Sequence, residues 1–267
     1  MGPQQTTDDA GEVTGITRLR QGAVLQLGFD RAERKNAITA RMYAALADGL
    51  DFAAGSPAIR VVVLHGHPDI FTAGNDLGDF LSNPPSGEDA PVHRFLATIS
   101  RFPKPLIAAV TGPAIGVGTT LLLHCDLVYA ADNAQFSLPF ASLGLCPEAG
   151  SSVLLPALAG YARAAEKLLF GEPFDAGEAR EMGLVNKVLP RAQVLGFALE
   201  RAQALAQRPV SSLLQTKRLM RAPLAAPVTT AMADESATFR RMLTEPAARE
   251  AFSAFMQKRK PDFSDIG

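Results

Sequence analysis

Glu148 is the only charged side chain between Asp132 and Arg163. Its neighbours are Pro139 to Pro147 on one side and Ala149 to Leu155 on the other, an almost wholly apolar setting. A carboxylate there loses hydration, which disfavours its charged form, raises its pKa and makes it a better general base. The plainer reading is a helix-start carboxylate, because Glu148 follows a proline and precedes a helical run. Two glycine turns could supply the complementary electrophilic chemistry. Gly112-Pro-Ala-Ile-Gly-Val-Gly118 opens a helix and would present backbone N–H groups to an anion. It carries no Lys-Ser/Thr after the glycines, and Leu121 stands where a dinucleotide fingerprint needs its third Gly. Close packing of helix on strand explains the same glycines. Ala73-Gly-Asn-Asp76 is a second turn, either another backbone donor or an ordinary strand-to-helix turn capped by Asp76. Arg31, Arg34 and Lys35 form a basic loop that suits a phosphate or simply faces solvent. His65 and His67 with Asp69 lack a third ligand at useful spacing, so no metal is expected. No Gly-x-Ser-x-Gly elbow is present.

These residues need a scaffold, and the hydrophobic pattern describes one. Val13 to Arg20 and Ala23 to Phe29 read as strands joined at Gln21-Gly22. Thr39 is an N-cap for a helix with Met42, Leu46, Leu50 and Ala53 on one face. The apolar runs Val61 to Leu64, Leu106 to Val110 and Leu127 to Ala131 predict buried strands. Val92 to Arg101 and Val117 to His124 predict helices, and Ser82 to Pro91 a mobile loop over the site. Strands and helices alternate to about residue 190, an α/β signature. Four helical stretches follow: Gln193 to Gln207, Val210 to Arg221, Val228 to Leu243 and Ala247 to Lys258, parted by Pro209, Pro223, Pro227 and Pro246. The expected layout is a disordered tail at residues 1–12, an α/β core at 13–190 and a helical region at 191–267.

Composition bounds the function. The 267 residues are 47% apolar and 20% charged, enough for a core and too little charge for a disordered chain. A net charge of −1 speaks against nucleic-acid binding. Two cysteines cannot make a disulfide framework, and Met1 to Glu12 lacks the basic and apolar regions of a secretory signal. Pro105 to Leu123 is uncharged, but its internal Gly, Pro and Thr residues read as strand, turn and helix rather than a membrane span. A cytoplasmic protein is expected.

Several motifs together resemble the crotonase (enoyl-CoA hydratase/isomerase) family. They are Arg31-Ala-Glu-Arg-Lys-Asn-Ala37, Phe71-Thr-Ala-Gly-Asn-Asp-Leu77, Gly112 to Gly118, Cys125-Asp-Leu-Val-Tyr-Ala130, Ala134-Gln-Phe136 and Ala179-Arg-Glu-Met-Gly-Leu-Val185. The resemblance covers about residues 13–260. It implies a spiral of ββα units, a helical C-terminal trimerisation region giving a homotrimer or dimer of trimers, and an acyl-CoA substrate with no separate cofactor. It places an oxyanion hole on the backbone N–H groups of Ala73 and Val117. It places CoA and acyl contacts on Arg31, Arg34, Lys35, Ala37, Gly74, Asn75, Asp76, Leu77, Gly116 and Phe140. The family's hydratases use two glutamates, whose positions here hold Thr120 and Phe140. Leu143-Gly-Leu-Cys-Pro-Glu-Ala-Gly-Ser-Ser152 instead resembles the Pro-Glu-x-x-Ser-Ser segment of peroxisomal-type Δ3,Δ2-enoyl-CoA isomerases, whose glutamate is the single base. The resemblance therefore implies double-bond migration from C3 to C2 by Glu148. The alternatives are a hydratase that recruits Glu148, or a non-catalytic acyl-CoA-binding scaffold.

Overall fold

Alternation within the strands decides which face each residue buries. The computed structural model describes residues 15–82, 87 and 90–266. The expected tail and most of the expected loop at 82–91 lie outside those residues. In chain order the elements are β1 (Ile16–Gln21), β2 (Val24–Phe29), α1 (Ala40–Gly55), β3 (Val61–His65), α2 (Leu77–Ser82), α3 (Pro91–Arg101), β4 (Leu106–Val110), β5 (Pro113–Ile115), α4 (Val117–Thr120), β6 (Leu127–Ala131), β7 (Gln135–Ser137), α5 (Ser151–Ala159), α6 (Tyr161–Phe170), β8 (Phe174–Asp175), α7 (Ala176–Glu181), β9 (Lys187–Leu189), α8 (Val194–Ala206), α9 (Val210–Met242) and α10 (Pro246–Met256).

The larger sheet runs β1-β2-β3-β4-β6-β9, and the smaller runs β5-β7-β8. Only β1 is antiparallel in the larger sheet; the other neighbours are parallel and need helical crossovers. Val62, Leu64, Leu106, Ala108 and Val110 join the core that holds α1 and α3. Their alternate neighbours Val61, Val63, Ile107 and Ala109 pack on Val194, Ala198, Ala202 and Ala206, a stripe at intervals of four along α8. Both faces are covered, so these strands are continuous apolar runs rather than alternating ones. A single bridge between Thr72 and Ala114 joins the chain after β3 to the smaller sheet.

Thr39 caps α1 as expected, its hydroxyl accepting from the Met42 N–H at 3.3 Å. The uncharged stretch 105–123 is β4, β5 and α4, the last continued by a 3-10 turn over Leu121–His124. No helix among the described residues is long and apolar enough to cross a membrane. Two expectations need correction. The strands β5, β7, β8 and β9 were not expected; they have two or three residues each, too short for a periodic signal. Pro223 and Pro227 do not divide the C-terminal region, because both lie inside the 33-residue helix α9. An internal proline normally costs about 3 kcal/mol. Here the helix is pinned on both sides of the prolines. Before them Lys217 donates to the Lys104 carbonyl at 2.6 Å and to Asp126 at 2.7 Å, and Arg221 donates to the His124 carbonyl. After them Val228 and Glu235 are buried.

Candidate active site

Glu148 lies in the turn that leads into α5, and its side chain is 9% exposed. Its Oε1 accepts from the Thr120 hydroxyl at 3.3 Å. Burial lifts the carboxyl from 4.5 to about 7; the Thr120 bond pulls it down, and the charge of Glu235 adds to the rise. The backbone that aims it is unusual. Ala149 and Gly150 both have left-handed conformations, at φ 60° and 72°. Such geometry in a residue with a Cβ persists only where neighbours hold it. His124, in the 3-10 turn after α4, is buried and meets the Ala149 carbonyl with Nε2 at 2.7 Å. Burial drops the His124 pKa to about 4, so the ring is neutral and Nε2 carries the proton that the carbonyl accepts. The Ser151 N–H donates to the Glu148 carbonyl at 3.0 Å, while the buried Ser151 hydroxyl has no partner among the described residues.

The two glycine turns meet each other. A Cβ at Gly118 would fall 2.6 Å from Thr72 Cγ2, and one at Gly74 would fall 2.7 Å from the Ile115 carbonyl oxygen, so both close approaches require glycine. At the start of α4 the N–H groups of Thr119 and Thr120 donate to the Gly116 carbonyl. The Val117 N–H reaches no acceptor among the described residues, as a first-turn helix donor should. Ala73 is different from expectation: its N–H donates to the Lys35 carbonyl at 3.0 Å and is not available to a ligand. The available donor of that turn is Asn75. Ile38 donates to the Gly74 carbonyl and accepts from the Asp76 N–H, which turns the intervening Asn75 N–H away from Ile38, with no acceptor among the described residues. Thr120, which holds Glu148, ends the helical turn that Val117 begins.

Residues missed in the sequence hold this turn. Asn36 Nδ2 donates to the carbonyls of Ile70 at 3.1 Å and Phe71 at 3.0 Å, and its Oδ1 accepts from the Arg31 N–H. The Thr72 hydroxyl donates to the Asn36 carbonyl and accepts from the Gly74 N–H. Tyr43, buried in α1, donates to Asn75 Oδ1 at 2.5 Å. Burial and the Glu148 charge keep the Tyr43 phenol protonated. Asn36 and Thr72 stand inside the two motifs already singled out, which was their only signal.

A cavity of about 350 Å³ has Glu148 and Ala149 in its wall, at the lower end of the ~300–1,000 Å³ common for ligand pockets. Phe80, Val92, Leu96, Met232, Phe239 and Leu243 supply apolar surface, from α2, α3, α9 and the residue after it. Phe140, expected as an acyl wall, is buried in the core and does not line this cavity. Arg31, expected at the phosphates, pairs with Asp76 at 2.6 Å and also donates to the Ala37 carbonyl. Burial raises the Asp76 pKa, but the Arg31 bond and charge and the N–H groups of Asp79 and Gly78 lower it further, so it stays ionised. Arg34 and Lys35 are exposed, with no ion-pair partner among the described residues. Leu77 packs against the core at the start of α2, and Gly116 takes φ 56° as the cap of α4.

The enoyl-CoA hydratase/isomerase family profile matches residues 19–266. The chain is 38% identical over 218 residues to enoyl-CoA delta isomerase 2 of Rattus norvegicus, covering 79% of this chain and 56% of that protein, so it spans little more than half the relative's length. It is 35% identical over 245 residues to the 2,3-dehydroadipyl-CoA hydratase of Escherichia coli K12, covering 91% and 96%. The crystal structure of an enoyl-CoA hydratase/isomerase from Pseudoalteromonas atlantica T6c superposes with a TM-score of 0.90 at 41% identity, covering 94% of this chain and all of that one.

Proposed function

The chain belongs to the enoyl-CoA hydratase/isomerase family, and from that premise we propose that it moves a double bond from C3 to C2 of an enoyl-CoA. The observation that carries this reading is a buried carboxylate, lifted to about 7, the one acid among the described residues that line a mainly apolar cavity. The N–H groups of Asn75 and Val117 hold the thioester oxygen. That bond withdraws electrons and acidifies C2. Glu148 takes one C2 proton, the negative charge spreads over a dienolate, and the same carboxyl returns the proton at C4. The C3–C4 double bond is thereby replaced by one between C2 and C3, with no atom gained or lost. Preorganised N–H donors are worth about 2.7–4 kcal/mol each to such an oxyanion. One carboxyl suffices because proton removal and return occur on the same face. The cavity beyond Glu148 takes the acyl chain, and Arg34 and Lys35 meet the CoA phosphates.

Glu148→Gln tests the base. Turnover of a 3-enoyl-CoA should fall by about 10²–10⁴-fold, the usual contribution of a general base; turnover within a few-fold of wild type would discard the assignment. Hydration is the second reading, favoured by the fuller mutual coverage of the Escherichia coli hydratase. Thr120 and Phe140 in place of carboxylates support the first. Wild-type hydration of a 2-enoyl-CoA at a rate comparable with isomerisation would reverse the order. We also propose that the chain assembles as a trimer or a dimer of trimers. Exposed Tyr161, Leu169 and Phe170 on α6 and Leu219 and Met220 on α9 support assembly; a monomer by light scattering would remove it.

A further inference from the structure

Glu235 lies 87 residues beyond Glu148, in the C-terminal helix α9, yet its side chain enters the turn that carries Glu148. It is buried, at 7% exposure. Its Oε2 accepts from the Gly150 N–H at 2.6 Å, and its Oε1 accepts from the Ser152 N–H at 2.9 Å and the Ser152 hydroxyl at 2.5 Å. The N-cap of α5 is Gly150, which has no side chain to bond the helix's first N–H groups. Glu235 performs that task from another element, and a carboxylate is favoured there by the helix dipole. The same contacts fasten the two left-handed residues after Glu148, with His124 holding the Ala149 carbonyl from the opposite side of the chain.

We propose that Glu235 is a positioning residue for the reaction: its carboxylate fixes the turn that aims Glu148, and its negative charge acts on the Glu148 carboxyl. The inference rests on the reading of Glu148 as the base and extends it to a residue that touches no substrate. Like charges oppose ionisation of one another, so Glu235 makes Glu148 the stronger base. The other polar and titratable groups around Glu148 come from several elements. Tyr43 of α1 and Cys146 of its own loop feel its charge, Thr120 of α4 donates to it, and His93, Arg101 and Arg240 line the same cavity. None of these bonds to the turn as Glu235 does.

Four variants and the pH dependence of kcat/KM on a 3-enoyl-CoA test this. Glu235→Gln keeps the shape and removes the charge. Its kcat should fall at least tenfold with little change in KM, and its acidic limb should move to lower pH. Glu235→Asp keeps the charge but shortens the reach, so kcat should fall while the limb stays near that of wild type. In a Glu148→Gln background, Glu235→Gln should cause no further loss, since its effect passes through Glu148. A Glu235→Gln enzyme with wild-type kcat and an unmoved limb would overturn the proposal. If that variant does not fold, an aspartate variant with unchanged kcat overturns it equally. Full activity in Glu148→Gln alone removes the base itself; an inert Glu148→Gln beside a wild-type-like Glu235→Gln removes only the positioning role.

Discussion

Replacing Glu148 by glutamine should strengthen the fold while cutting turnover by about 10²–10⁴-fold, and the gain in stability should depend on pH. A carboxyl raised from 4.5 to about 7, at 1.36 kcal/mol per pH unit, makes the ionised folded protein about 3 kcal/mol less stable than a neutral isostere. The sign follows from the raised value. The folded state binds this proton more tightly than the unfolded chain, so stability is greatest below 4.5, declines between 4.5 and about 7, and is level above. Glutamine carries no proton to lose and escapes the decline. Against wild type, Glu148→Gln should therefore gain about 3 kcal/mol at pH 8 and less than about 1 kcal/mol at pH 5. Denaturant melts of both proteins at the two pH values measure this directly. For a chain of this size the pH 8 difference corresponds to roughly 5–10 °C in Tm. A stability difference that is the same at pH 5 and pH 8 would refute the argument that burial sets the basicity of Glu148.

Thr120→Val removes the hydrogen bond that favours the Glu148 carboxylate. The acidic limb of kcat/KM should move to higher pH, and a limb that stays or falls contradicts the assigned bond. Ser151→Ala deletes a buried hydroxyl with no partner among the described residues and should raise stability by about 1 kcal/mol in denaturant melts; a loss of that size would mean the hydroxyl has a partner in solution. Arg34→Glu should weaken CoA binding by calorimetry, whereas Arg31→Ala should chiefly lower Tm, because Arg31 serves Asp76. The opposite pattern would place Arg31 at the phosphates.

What could be read in advance depended on how local its cause was. Thr39 and the buried strands were legible because capping and apolar runs act within a few residues. Glu148 stood out because the absence of other charges around it is itself a linear feature. The donor of the first glycine turn was misplaced by two residues, since which N–H is free depends on where the Lys35 and Ile38 backbone lies. The Arg31 ion pair was not legible because its partner Asp76 is 45 residues away. The prolines of α9 looked like breaks because the anchors on either side belong to tertiary packing. Glu235 gave no signal at all: it stands beside Asp234 in α9, and nothing in the sequence marks which of the two acids faces inward.

The turns that present Asn75 and Val117 are braced by segments before residue 140, whereas the turn that presents Glu148 is fastened in part by a helix that begins at Val210. On the proposed reading, proton handling thus has one custodian that the oxyanion donors lack, besides Thr120 and His124, which lie beside those donors. Drift in the distal portion can retune acidity, or reassign which carbon receives hydrogen, while the grip on the carbonyl stays intact. A lineage built this way can diversify its reactions by revising its last fifth.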